Sequence, residues 1–175
     1  MKQLLSPFNL IGLLVFLFGL GLFLHFSHPP SPPPVRLPAL ATPKLTPKRV
    51  EAQLFFLQGG ALVHQAVTLE VPVGAEAFNV ALQALAHPPS GLSSVLPSGL
   101  PAPVAFLVGE TAYVDLPAAY RSLHMGVAHE VHLLYGIAET LFQFPPIQKV
   151  RFLVNHQPVD SLGHLSLLLP ITPSS

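Results

Sequence analysis

The chain has 175 residues, no cysteine and a formal net charge of zero, with half of its residues hydrophobic and 9% charged. The missing cysteine excludes a disulfide framework, a thiolate metal site, a cysteine nucleophile and a lipidated cysteine within these residues. All eight acidic residues lie from Glu51 onward, whereas five of the eight basic ones precede it. The body is therefore mildly acidic and lacks the clustered Lys and Arg that phosphate-backbone binding needs, so no nucleic-acid partner is expected.

In chain order, the first element is FNLIGLLVFLFGLGLFLHF, Phe8 to Phe26, an apolar run with no formal charge. At 1.5 Å per residue it reaches roughly 28 Å as a helix, close to the thickness of a bilayer's hydrocarbon core. The run is followed by HFSHPPSPPP rather than by the small residues a signal-peptidase site prefers, so an uncleaved transmembrane anchor is the expectation over a signal peptide. Lys2 on its N-terminal side places the N-terminus in the cytoplasm and the bulk of the chain outside. Residues 27–48 follow, dense in proline. Proline fixes φ and lacks a donor, so this stretch reads as a semi-rigid polyproline II spacer. A PxxP ligand is the rival reading, and Arg36, Lys44, Lys48 and Arg49 are candidates for touching anionic polymer or lipid.

Residues 49–172 read as the globular domain. VEAQLFFL and ALVHQAVTLEV flank QGG as an antiparallel hairpin. Phe78, Ala81, Leu82 and Leu85 repeat with helical spacing, and Pro88-Pro89 stop that helix. A Gly/Pro/Ser loop leads to a second hairpin, VAFLV and TAYVDL, turning at Gly109-Glu110. A long helix is predicted over Val127–Phe144, its apolar face centred near Val127, Val131 and Ala138 and stopped by Pro145-Pro146. QKVRFLVN and a strand near HLSLLL close the chain around an NHQP turn. The order β-β-α-β-β-α-β-β implies an α+β fold, an antiparallel or mixed sheet of hairpins with two amphipathic helices on one face.

Three histidines, His124, His129 and His132, crowd the start of the long helix. On a 100° wheel His129 falls almost opposite the apolar centre and His132 about 120° from it, so both are expected in solvent or against a partner. Zn²⁺ wants three or four ligands, and the spacing His-Glu-Val-His is one residue short of the zinc-protease pattern. These three are therefore only weak metal candidates, and no metal or cofactor is expected. Ser93 and Ser94 sit in the loop with no histidine tied to them. Among the carboxylates Asp115, Glu130, Glu139 and Asp160, none is paired by its context, and Asp115 is read as capping the next turn. No catalytic residue is assigned, and no reaction class is supported. Phe55, Phe56, Phe78, Phe106, Tyr113, Tyr135 and Phe142 fall at core-type positions. Tyr120 and Phe144 are the aromatic contact candidates; with His129, His132, Leu92, Ser93 and Ser94 they form the expected interaction surface.

The segments ALQALAHPPSGLSSVLPSG, GETAYVDL and AETLFQFPPIQKVRFLVNHQPV resemble, in order and spacing, three motifs of the GerMN domain family named after a spore-germination protein. The resemblance spans nearly all of residues 49–169. The family often has Asp-Gly in the last hairpin turn, where this chain has Asn155-His156, and often uses a lipid anchor or tandem domains. The resemblance implies a module outside the bacterial membrane, acting in sporulation, envelope assembly or signalling, without typical enzymatic activity. Its partners would be envelope proteins or further copies of itself, joined at sheet edges. A cell-wall glycan-binding module is the alternative, and a histidine-based metalloenzyme a third.

Overall fold

The computed structural model describes residues 7–27 and 46–173. The chain divides into two compact units, Met1–Pro43 and Lys44–Ser175. In the first, helix α1 spans Pro7–Phe26, twenty residues of which none is buried. The spacer expected over 27–48 falls almost wholly outside the described residues.

The second unit begins with strands β1 (Lys48–Gln58) and β2 (Ala61–Val71), then helix α2 (Ala77–Ala84). Strands β3 (Val104–Val108) and β4 (Thr111–Leu116) follow, then a 3₁₀ turn at Ala118–Ser122 and helix α3 (Val127–Phe142). Strands β5 (Lys149–Val154) and β6 (Gln157–Pro158) complete the β-β-α-β-β-α-β-β order. The β1–β2 hairpin turns on Gly59 and Gly60 at φ 58° and 84°, the left-handed geometry that a two-residue turn demands and glycine accepts without strain.

The strands form two sheets rather than one. Among the described strands β1 and β2 form one sheet with each other, while β3-β4-β5-β6 form a mixed sheet in which β4 and β5 are parallel. Parallel neighbours need a crossover, and α3 supplies it. Both sheets turn one face to a shared core. β1 contributes Ala52, Leu54 and Phe56, β4 contributes Ala112, Val114 and Leu116, and β5 contributes Val150, Phe152 and Val154. Between them lie Phe78, Ala81 and Leu82 of α2, with Leu85 just beyond it, at the predicted spacing.

Two expectations need correction. The segment near HLSLLL is not a strand: β6 is only Gln157–Pro158, and beyond it are single bridges at Ser161–Ser166 and Val150–Ile171. Its backbone is otherwise engaged. The Glu130 carboxylate accepts the N–H groups of His164 and Leu165 at 2.8 and 3.0 Å, and the Leu167 N–H donates to the Asp160 carbonyl. The buried face of α3 is also rotated from the predicted one. Val127 is 54% exposed and Tyr135 is exposed, while Glu130, Leu133, Leu134, Ile137, Ala138 and Leu141 are buried. Glu130, 1% exposed, thus opens the buried, mostly apolar stripe of α3.

Candidate functional site

The loop after α2 and the approach to α3 enclose a cleft of about 400 Å³ lined by Leu57, Ser94–Ser98, Leu123–Gly126 and His129. A second depression of about 490 Å³ adjoins it, over Ala86, Pro88, Leu92–Ser94 and Leu96–Leu100. These walls contain five of the sequence-selected residues: Leu92, Ser93, Ser94, His124 and His129.

The loop is held from several sides. Ser94 Oγ donates to the Leu85 carbonyl at 2.7 Å and accepts the Leu96 N–H at 2.9 Å, so this hydroxyl staples the end of α2 to the loop. The backbone of Ser93 exchanges two 2.8 Å hydrogen bonds with Leu57 of β1. Val95 is buried against α3 at Gly136, where a built Cβ would lie 2.9 Å from Val95 Cγ1. Glycine is needed there for close approach rather than for a special φ. The Ser94 hydroxyl and the Ser93 backbone are thereby committed to the architecture of the cleft, whose side-chain chemistry comes from the exposed Ser93, His124 and His129 and the apolar Leu57, Leu96, Leu123 and Met125.

The other wall is positioned through Glu130. Its carboxylate sits in the first turn of α3, where the helix dipole favours negative charge, and it ties the 163–165 loop to the helix. His164 Nε2 lies 3.0 Å from the Met125 carbonyl, adding a second tie just before the helix begins.

The remaining predicted residues fall elsewhere. His132 is half-buried and does not line the cleft, and among the described residues no group of three or more His, Asp or Glu side chains comes together to hold a metal. Tyr120, expected as an exposed contact, is fully buried: its hydroxyl donates to the Pro101 carbonyl at 3.1 Å, and burial pushes the phenol pKa from 10.0 up to about 12. The 3₁₀ turn folds the ring into the core, which local sequence does not reveal. Phe144 is half-buried and packs on the core. Asp115 does not cap the turn that follows β4. Its carboxylate accepts the His156 N–H at 2.7 Å and meets His156 Nδ1 at 2.6 Å. That clamp holds the Asn155-His156 turn, at φ 51° and 64°, in the left-handed region that favours glycine.

Phe106, read as core, is 47% exposed and stacks on Tyr113 with ring centroids 5.4 Å apart and planes 7° from parallel. With Val104 and Val108 it forms an apolar strip on the outer face of the mixed sheet. Sequence reasoning also passed over two side-chain amides that bond strand edges, Asn79 to Ala105 and Gln143 to Gln53. Only an acid amid helical apolar spacing, at Glu130, was a signal in the sequence itself.

The family described as Germane, sporulation and spore germination, matches residues 53–160. The fold is similar to the tandem GerMN domains of the sporulation protein GerM from Bacillus subtilis, at TM-score 0.57 and 20% identity, covering 71% of this chain and 45% of that one. It is similar to the first GerMN domain of the same protein, at TM-score 0.54 and 21% identity, covering 70% and 94%. A putative lipoprotein from Clostridium perfringens matches at TM-score 0.46 and 24% identity, over 71% and 87%. The chain spans less than half the length of the tandem protein. No curated protein matches it.

Proposed function

The chain belongs to the Germane (GerMN) family of sporulation and spore germination, and from that premise we propose that it is a non-catalytic, membrane-anchored interaction module of the bacterial cell envelope. The observation that carries this reading is α1. Its twenty residues, apolar almost throughout, are all exposed among the described residues, and at about 30 Å the helix matches the hydrocarbon core of a bilayer. In this reading α1 fixes location, with the N-terminus in the cytoplasm. The proline-dense segment sets reach, and the GerMN domain outside presents a rigid surface. The contact surface is the cleft with His124, His129 and Leu92, stiffened by the Ser94 staple and the Glu130 tie.

Photo-crosslinking from position 129 in native membranes, with Glu110 as the control position, tests it. A dominant adduct with one envelope protein, or with the chain itself, supports the reading. Absence of any adduct above the control at 129 and at 92 argues against the cleft as the contact surface.

The exposed Phe106–Tyr113 stack favours one second reading, a cell-wall glycan-binding module, because an aromatic face flanked by apolar side chains offers a platform for a sugar ring. Co-sedimentation with isolated cell-wall polymer, with Phe106→Ala as the control, decides it. A domain that stays in the supernatant at low salt ends that reading.

A further inference from the structure

The strand edges of the domain are treated unequally. Of the outward-facing residues of β1, Arg49, Glu51, Gln53, Phe55 and Leu57, the last three are engaged. The Gln143 side chain accepts the Gln53 N–H at 2.6 Å and donates to the Gln53 carbonyl at 2.7 Å, as a neighbouring strand would. Thr140 Oγ1 accepts the Phe55 N–H at 3.3 Å, and Ser93 pairs with Leu57 in both directions. On β3 the Asn79 amide closes Ala105 in the same way, at 2.9 and 2.7 Å.

β2 has no such cover. Because the odd-numbered residues of β1 point away from β2, their opposites in the register, Gln53↔Ala66 and Phe55↔His64, point away from β1 as well. The N–H and C=O groups of Leu62, His64, Ala66, Thr68 and Glu70 therefore face outward. Among the described residues no backbone group meets them, and the side-chain approach is that of Gln65 Nε2 to the Ala66 carbonyl at 3.4 Å. Proteins usually blunt such an edge with lysine, proline or a bulge. From Ala61 to Val71 there is no Lys, Arg or Pro, and the register with β1 is unbroken over eleven pairs.

We propose that the outer edge of β2 pairs antiparallel with β2 of a second copy of this chain, about a two-fold axis at Ala66. The occupant follows from the strand itself. Ala66 is the midpoint of Ala61–Val71 and one of the outward-facing residues, so an axis there lets both strands pair along their whole length. On the solvent side this register sets His64 against the partner's Thr68 and Leu62 against the partner's Glu70, which is already held by its own Arg49. On the inner side it sets Val63 against the partner's Leu69 and Ala61 against the partner's Val71. No like charges oppose each other, and the apolar pairs are of the kind that stabilise sheets. Moving the axis to His64 sets histidine against histidine, and moving it to Thr68 shortens the paired stretch. The result is a four-stranded sheet, β1-β2-β2-β1, whose two outer β1 edges are engaged at Gln53, Phe55 and Leu57 by Gln143, Thr140 and Ser93. A two-fold contact uses the β2 edge of both copies, so assembly closes at two.

This inference rests on the reading of the domain as an interaction module, and it is tested on the full chain in its membrane. The chain contains no cysteine, so Ala66→Cys introduces a single thiol. Opposed residues of a hydrogen-bonded antiparallel pair have Cα atoms about 5.5 Å apart, inside the disulfide window of about 4.4–6.8 Å. Mild oxidation is expected to give a disulfide-linked dimer from Ala66→Cys, roughly tenfold above that from Glu110→Cys. His64→Cys and Thr68→Cys are expected to cross-link poorly alone but well when two differently tagged copies are mixed. Ala66→Pro removes the outward N–H without touching a bond to β1, and is expected to leave a folded monomer in sedimentation. Cross-linking of Ala66→Cys no higher than that of Glu110→Cys overturns the proposal. If a partner is still captured from position 129, only self-pairing has failed; if nothing is captured there either, the interaction reading fails with it.

Discussion

At the scale of single residues, the domain depends on polar groups placed inside it with every partner supplied. Among the described residues, no buried side-chain nitrogen or oxygen lacks a hydrogen bond. Glu130 is the most exacting case, because removing its carboxylate orphans two backbone donors at once. Each buried unsatisfied group costs about 1–3 kcal/mol, so Glu130→Ala is expected to lower stability by about 2–4 kcal/mol in denaturant unfolding. Glu130→Gln is expected to recover less than half of that, since the amide keeps one acceptor and turns its NH₂ toward the other donor. Tyr120 gives a pH signature. Its pKa is near 10.0 unfolded and about 12 folded, so both states hold the proton below pH 10 and stability is unaffected there. As pH rises from 10 toward 12 the unfolded state loses its proton first, and stability falls with a slope approaching one proton. Tyr120→Phe should flatten that fall while costing about 1 kcal/mol at neutral pH from the lost bond to Pro101. Unfolding midpoints measured on either side of pH 10 check the sign.

At the scale of elements, the helices seal strand edges as well as fill the core. α3 runs beside β1 and lends it Thr140 and Gln143, and α2 lends Asn79 to β3. Gln143→Ala frees the N–H and C=O of Gln53 on an exposed edge, where water replaces the lost bonds. The expected loss is only about 1 kcal/mol, but aggregation in light scattering at elevated concentration should rise, because an unsealed edge recruits strands. The seating of the cleft loop on α3 is tighter. Gly136→Ala adds a methyl 2.9 Å from Val95. Overpacking costs about 1–3 kcal/mol against a helix-propensity gain of about 1, so a net loss near 1 kcal/mol is expected. Val95→Ala in the same chain should remove the clash, a non-additivity that a double-mutant cycle in urea would expose. The amphipathic helix α2 and the glycine hairpin were legible beforehand, because local periodicity and turn chemistry decide them. The orientation of α3 was not: its N-terminal valines pulled the predicted face toward Val127, while the structure buries Glu130 because a loop 34 residues away supplies its donors.

At the scale of the molecule, an exposed apolar helix and a GerMN domain meet in one chain. The anchor reading predicts that the chain stays with membranes through alkaline carbonate and that the N-terminal peptide, including Phe8–Phe26, is found in the mature protein by mass spectrometry. Detection of a shortened chain beginning beyond Phe26 would make α1 a signal sequence instead. Residues 46–173 alone are expected to stay in solution after ultracentrifugation, which separates the anchor from the domain that bears the proposed cleft and β2-edge contacts.

The sequence by itself determined the apolar helix, the proline-dense segment, the order of strands and helices and the family, because composition, periodicity and turn residues are local properties of a chain. The sheet partners, the burial of Tyr120 and Glu130, the clamp of Asp115 on His156 and the exposure of Phe106 were decided by the tertiary structure. Each depends on which distant segment arrives to supply a donor, an acceptor or a covering surface. The same holds for the strand edges: a glutamine ninety residues away covers β1 at Gln53, and among the described residues no backbone group arrives to cover β2.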